Sequence, residues 1–462
     1  MKIEHWACSR LCGLVQLAWS IALVPCIMVS QRQSGNTKMR KWKGIKSYQD
    51  ARLITGFTLI GALGTELKSL DDALSRPHAK EWQTALDYEI GQLKKLWTWV
   101  IEDLPKGHNV IPCSAVLKEK CGPDGEITSY RVHIVTEGHR QVKGVNYSET
   151  FSSAAKMPTI RAVLANAATQ DWEIEHVDVK SVYLNVTLKE TIYMKPPWGV
   201  LKPGEEGKVC CLVKGLYGMK QAGHGWYQEM SWVLVKDLGF TCSDVDHSVF
   251  FQRLPNKHTI IAVAMDNMAV TSKRAEDITR FKADIQCYWE ITDNGPIHWF
   301  LGFQISCDCT MWTISINQSV YIQAMVDKFR LTNSTPVATP MVTGATFSTS
   351  NSPSAPTQIV CMCGIPYMEA ISSVLWPVVV SRPDAAFTVS TLSQFIQNPG
   401  PTHWEALKHM IVFLRSTKDL WLTFSGLSKP AMEGFCNADW GGQKHCHSIS
   451  SYSFHMGAGA IS

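Results

Sequence analysis

Two short β-prone runs constrain this chain most. Residues 172–179 read as a strand, and alternation puts Val177 and Val179 on one face and Asp178 on the other. Residues 259–263 form an apolar run, Asp266 and Asn267 follow, and then Met268–Val270. This reads as two short strands with an acidic tip between them. A carboxylate leaving a strand opposite a core face is a candidate functional residue. By spacing alone a solvated edge Asp is the commoner case, and Asp and Asn are ordinary turn formers.

The segments around these runs make the chain a mixed one. Residues 79–97 place Trp82, Leu86, Ile90, Leu93 and Trp97 at helical spacing, with Lys94 and Lys95 late, as in an amphipathic helix. Two apolar-rich runs, Val110–Lys120 and Glu126–Val135, flank Gly122-Pro123-Asp124-Gly125 and predict a β-hairpin. Pro158 opens a helix through Thr169, with Ile160, Val163, Leu164 and Ala167 inward. The Ser/Thr/Pro-rich stretch 345–358 reads as a flexible linker, and a helical region follows from about Tyr367 to Leu420. From about Met432 the pattern is strand, turn, strand to Ser462 without a closing helix, as in a truncated domain.

Composition excludes some classes. With 45% hydrophobic and 18% charged residues, the 462-residue chain is neither disordered nor fibrous, and it is long enough for two or three domains. A net charge of +4 permits a polyanionic partner without arguing for one. The 15 cysteines include no C-x-x-C pair and read as reduced thiols. Adjacent residues such as His445-Cys446-His447 do not readily converge on one tetrahedral ion. Residues 11–31 carry no charge and are followed by Arg32, Lys38, Arg40, Lys41 and Lys43. That suits a membrane anchor with the body of the protein in the cytosol, although Gln16, Ser20 and Pro25 interrupt it. The alternative is a leader, 1–69, unrelated to the functional part.

A long ordered series of motifs says more. It runs GVNYSETF (144–151), TIRAVLANAA (159–168), HVDVKSVYLN (176–185), IYMKPPWGV (192–200), LYGMKQAGHGWY (216–227) and DHSVFF (246–251). It continues with FLGFQI (300–305), SRPDAAF (381–387), THWEALKHM (402–410) and NADW (437–440). From about Leu70 to Ser462 the chain resembles the copia-type LTR retrotransposon reverse transcriptase and the start of its RNase H region. The resemblance implies an α+β right-hand polymerase of fingers, palm and thumb, followed by a truncated RNase H-like α/β segment. It assigns fingers and palm to 70–330, a linker plus thumb- or connection-like helices to 331–430, and the RNase H-like start to 431–462.

The implied activity is RNA-directed DNA synthesis with two Mg2+ ions, on an RNA or DNA template-primer with dNTPs. Asp178 matches the first metal-binding position. The family's Tyr-Val-Asp-Asp box reads Ala264-Met265-Asp266-Asn267, so Asp266 keeps a ligand position while Asn267 keeps the shape and loses a charge. Tyr183 matches the aromatic gate against a ribose 2′-hydroxyl, and Gln221 the residue expected to contact the nucleotide. Lys180 and Lys220 are retained as well, among the positions that the resemblance assigns to nucleotide binding. In the basic fingers run Arg131 keeps its charge, while His133 and Glu137 depart from the pattern, as do Ala115 and His224 elsewhere. Asn437 stands at the first RNase H carboxylate and Asp439 remains, so no RNase H activity is expected. The expectation is a degenerate copy with weakened or lost activity, cytoplasmic or nuclear, with membrane contact through 11–31 and no integrase or protease segment in view. The other readings are a non-catalytic nucleic-acid-binding remnant and a membrane-tethered protein with no nucleic-acid role.

Overall fold

Of the helix expected over 79–97, residues 79–95 are helical in a computed structural model that describes residues 69–121, 127–254, 257–427, 432–439 and 449–462. The helix Ala79–Lys95 buries Trp82, Leu86, Ile90 and Leu93, with Glu81 in its first turn and Lys94 and Lys95 in its last. Trp97 does not share that buried face. Buried Thr98 turns back, and its N–H and hydroxyl both donate to the Leu93 carbonyl (3.1 and 2.8 Å), which ends the helix. Trp97 is left with φ 54° and its ring exposed.

The fold is α+β, and the described residues divide into two compact units, 69–155 with Glu175–Gly295 in one and Lys156–Ile174 with Pro296–Ser462 in the other. In the first, the strands are β1 Trp99–Glu102, β2 Val110–Ile111, β3 Cys113–Cys121, β4 Ile127–Thr136, β5 Glu173–Val179 and β6 Thr187–Met194. They continue with β7 Val209–Lys214, β8 Thr241–Cys242, β9 Val249–Leu254, β10 Lys257–Ala264, β11 Asn267–Ser272 and β12 Ile291–Pro296. The expected run 110–120 splits at Pro112, which has no N–H to give a ladder. β2 joins a sheet of order β1-β7-β6-β2, and β3 pairs with β4 from Cys113↔Thr136 to Lys120↔Ser129. The turn between them, and the leader with its apolar stretch 11–31, lie outside the described residues.

The sheet that matters most has the order β12-β5-β11-β10-β9-β8. β10 and β11 form a hairpin from Thr259↔Ser272 to Ala264↔Asn267, with only Met265 and Asp266 at its tip. Ile261, Ala262, Val263 and Ala264 are all buried, as on a central strand covered on both faces. Val177, Val179, Trp226, Phe250, Val263 and Phe281 belong to the core beneath. Each such side chain contributes about 1.5–3 kcal/mol by burial.

In the second unit the helix Met157–Gln170 has Pro158 in its first turn and buries Ile160, Val163, Leu164 and Ala167, as expected. Strands β13 Trp299–Phe300, β14 Phe303–Asp308, β15 Thr313–Asn317 and β16 Leu422–Ser425 form an antiparallel sheet in that order. The helices Ser319–Lys328, Tyr367–Val380, Ala386–Ser393 and Pro401–Ser416 share one core. Pro377 sits inside Tyr367–Val380 and gives no N–H to the Ser373 carbonyl, which instead accepts from the Tyr321 hydroxyl at 3.0 Å. The Ser/Thr/Pro-rich stretch is not structureless. Ser348 and Asn351 cap a 3-10 turn, Thr349–Asn351, and Pro356 starts a short helix to Met362. Strands β17 Glu433–Asp439, β18 Ile449–Met456 and β19 Gly459–Ala460 form the last sheet. No helix among the described residues is long and apolar enough to cross a membrane.

Candidate active site

β5 lies beside β11, and this brings Asp178 and Asp266 together. The Val179 N–H donates to the Asp266 carbonyl at 2.8 Å, which pins the hairpin tip to the strand carrying Asp178. The tip is tight. Met265 has φ 64°, unusual for a side chain without polar atoms near the backbone, and the buried Trp226 indole donates to its carbonyl at 2.9 Å. Both carboxyls are half-buried. Burial pushes Asp178 up to about 6, with the Asp266 charge adding and Lys180 opposing. Burial also raises Asp266, against hydrogen bonds from its own backbone and from Asn267.

Tyr183 and Tyr217 stand beside the pair. Their rings meet edge-on at 5.0 Å. Burial and the Asp266 charge hold Tyr183 up at about 12, and the same two causes raise Tyr217 further. The His133 ring lies 5.8 Å from Tyr217, and its Nδ1 is 3.4 Å from Glu89, which also accepts from the Ile134 N–H.

The other residues named from the sequence are placed as follows. Gln221 is buried and accepts from Gln141 at 2.9 Å while donating to the Asn146 carbonyl at 2.7 Å. Lys220 reaches the Gln141 carbonyl and the Tyr147 hydroxyl, both at 3.3 Å, with its ammonium 4.7 Å from the Tyr147 ring. Lys180 is exposed and paired to Glu290 at 2.6 Å. Arg131 is exposed on β4, opposite Lys118. Glu137 does not face the site as a lone charge, because Arg140 pairs with it at 3.0 Å. Asn437 and Asp439 lie on β17 in the second unit, with Asn437 exposed and paired in register with Ser451. They are not brought to the Asp178–Asp266 pair within one unit.

Three residues of the site escape a reading by motif. Tyr217 and Trp226 lie inside LYGMKQAGHGWY, where helical or strand periodicity gives no sign that they face the carboxylates. His176 lies two residues before Asp178 on the same face of β5, and its Nε2 is 2.8 Å from Asn267 Oδ1. Strand alternation carried that signal.

Among the described residues no three His, Cys, Asp or Glu side chains converge as a metal cluster. The two carboxylates still suit a divalent cation. They are hard oxygen donors, half-buried and mutually repelling, and a hard cation relieves both penalties. The Asn267 amide beside them has its NH2 on Asp266 and its oxygen on His176, so the two carboxylates are the groups that suit the ion.

Residues 96–343 match the family model described as reverse transcriptase (RNA-dependent DNA polymerase). The chain is 34% identical over 399 residues to the retrovirus-related Pol polyprotein from transposon TNT 1-94 of Nicotiana tabacum, covering 86% of this chain and 30% of that one. It is 27% identical over 387 residues to the Pol polyprotein from transposon RE1 of Arabidopsis thaliana, covering 83% and 26%. Among solved structures it is similar to a foamy viral protease-reverse transcriptase in complex with double-stranded DNA, with a TM-score of 0.42 and 10% identity, covering 82% of this chain and 54% of that one. The chain thus spans under a third of the length of these two Pol polyproteins.

Proposed function

This chain belongs to the reverse transcriptase (RNA-dependent DNA polymerase) family, among the copia-type retrotransposon Pol polyproteins, and we propose that it works as an RNA-directed DNA polymerase domain weakened at its catalytic site. In this reading 70–330 supply fingers and palm, 331–430 a linker and connection-like helices, and 431–462 the start of an RNase H-like segment without RNase H activity. The observation that carries it is the meeting of Asp178 and Asp266, from a strand and from a hairpin tip far apart in sequence.

Asp178 and Asp266 would hold Mg2+, whose charge would stabilise the attacking and leaving oxygens when a primer 3′-hydroxyl displaces pyrophosphate from the α-phosphate of a nucleotide. Tyr183, braced edge-on by Tyr217, presents a bulky flat ring that excludes a ribose 2′-hydroxyl. Arg131 offers charge-assisted hydrogen bonds to phosphate. Gln221 keeps one amide hydrogen and one lone pair beyond its two internal bonds, enough for one nucleotide contact. Lys220 fixes the neighbouring segment around Gln141 and Tyr147, and Lys180 is held by Glu290 at the rim. The weakening has a physical source. Asn267 withholds a negative charge from the cation, and His133 and Glu137 engage Glu89 and Arg140 in place of a triphosphate.

Primer extension on an RNA template, by the full chain with Mg2+ and then Mn2+, tests this. Slow template-directed synthesis that disappears in Asp178→Asn and Asp266→Asn is expected. No synthesis with either cation, or synthesis that survives Asp178→Asn, would overturn the reading.

A further inference from the structure

Asn267 is more than a carboxylate that has lost its charge. Asp266, when ionised, only accepts hydrogen bonds, so the Asn267 carboxamide must face it with its NH2, and Nδ2 lies 2.8 Å from Asp266 Oδ1. Asn267 Oδ1 then faces the opposite way, towards His176 Nε2 at 2.8 Å. Two acceptors cannot share that contact, so Nε2 carries the hydrogen. In the neutral ring Nδ1 is then an acceptor, and the Asn294 amide stands 3.2 Å from it, able to donate. One direction of donation thus runs from Asn294 through His176 and Asn267 to Asp266.

The sheet explains how such a chain can exist. Asn294, His176 and Asn267 sit on β12, β5 and β11, three neighbouring strands. His176 shares its strand face with Asp178, so the series runs across the same surface as the carboxylate pair. The Val179 N–H on the Asp266 carbonyl fixes the backbone end of the same residue. Asp266 is therefore gripped at both its main chain and its side chain.

We propose that His176 and Asn294 are positioning residues that lock the Asn267 carboxamide against Asp266, so that a neutral hydrogen-bonded strut orients this ligand where the family's motif has a second carboxylate. The inference rests on the proposed function only in taking Asp266 as a cation ligand.

Side-chain amide exchange of the full chain, labelled with 15N-asparagine and with the Asn267 signal assigned by its loss in Asn267→Asp, tests the strut. The Asn267 NH2 should exchange more slowly than exposed asparagines, by about tenfold. His176→Leu should remove that protection, Asn294→Ala should remove part of it, and His176→Gln, which keeps an N–H donor, should restore it. Binding of Mn2+ alone, followed by electron paramagnetic resonance, should weaken at least about tenfold in His176→Leu and recover in His176→Gln. An Asn267 amide that exchanges at the exposed rate in the wild-type chain, or protection and Mn2+ affinity unchanged in both His176→Leu and Asn294→Ala, would overturn the proposal. A protected amide in a wild-type chain that binds no Mn2+ would instead overturn the cation site itself and leave the strut standing, so the two failures are distinguishable.

Discussion

An amide and a carboxylate share a shape, and at residue 267 this conceals opposite behaviour. A carboxylate there would repel Asp266, whereas the amide donates to it. Of the proposed roles, that of Tyr183 is the simplest to test, since exclusion would require only bulk. Tyr183→Ala should raise the incorporation of ribonucleotides relative to deoxynucleotides, measured as the ratio of single-addition rates. An unchanged ratio would remove the gate role. Lys282 shows a different balance in the same unit. It is almost fully buried and held by Glu175 and Asp293, which are themselves partly exposed, so Lys282→Ala should cost about 1–3 kcal/mol in chemical denaturation by leaving carboxylates unpaired. Burial alone would raise Asp293, but the Lys282 ammonium and the Gly295 N–H outweigh it and hold the group below the ordinary Asp range. A carboxyl depressed on folding stabilises fully above its unfolded-state pKa, and that contribution is lost as pH falls through the folded value. Asp293→Asn should therefore flatten the acid limb of the melting temperature against pH, and an unchanged limb would contradict the pairing.

At the scale of elements, the helix Ala79–Lys95 carries much of one core, and the helices Tyr367–Val380 and Pro401–Ser416 much of another. Leu86→Ala should destabilise the first unit by about 2–5 kcal/mol, read from denaturant midpoints. Tyr321→Phe should cost about 1–3 kcal/mol, because it orphans the Ser373 carbonyl that Pro377 cannot serve. A neutral Tyr321→Phe would show that the carbonyl finds another donor. Elements of this kind were legible in the sequence wherever one face is covered, because periodicity reports faces. The helix at 79–95 and the helix opened by Pro158 follow from it, whereas the hairpin around Asp266 showed as an unbroken apolar run, 259–263, before an acidic tip. Trp97 fits the same period and lies outside the helix, since the period cannot register the Thr98 bonds that stop it. The ordering of 345–358 was hidden for a similar reason, as Ser, Thr and Pro serve linkers and caps alike. At the site, alternation put Asp178 opposite Val177 and Val179, but it could not say which strands lie alongside. The contacts of His176 with Asn267 and Asn294 depend on the order β12-β5-β11 and had no local signal.

At the scale of the molecule, the positions proposed for polymerisation, from Arg131 through Asp178, Tyr183 and Gln221 to Asp266 and Asn267, all fall in one compact unit. Asn437 and Asp439 fall in the other. On the proposed function, the first unit is a polymerase centre with both carboxylates in place and limited by the missing third charge. Comparing primer-extension rates of the wild-type chain and Asn267→Asp, on the same RNA template and at the same Mg2+ concentration, tests that most directly. Feeble synthesis by the wild-type chain and a gain of at least about tenfold in Asn267→Asp are expected. Robust synthesis by the wild-type chain, or an Asn267→Asp chain no faster than it, would show that the missing charge does not limit the centre.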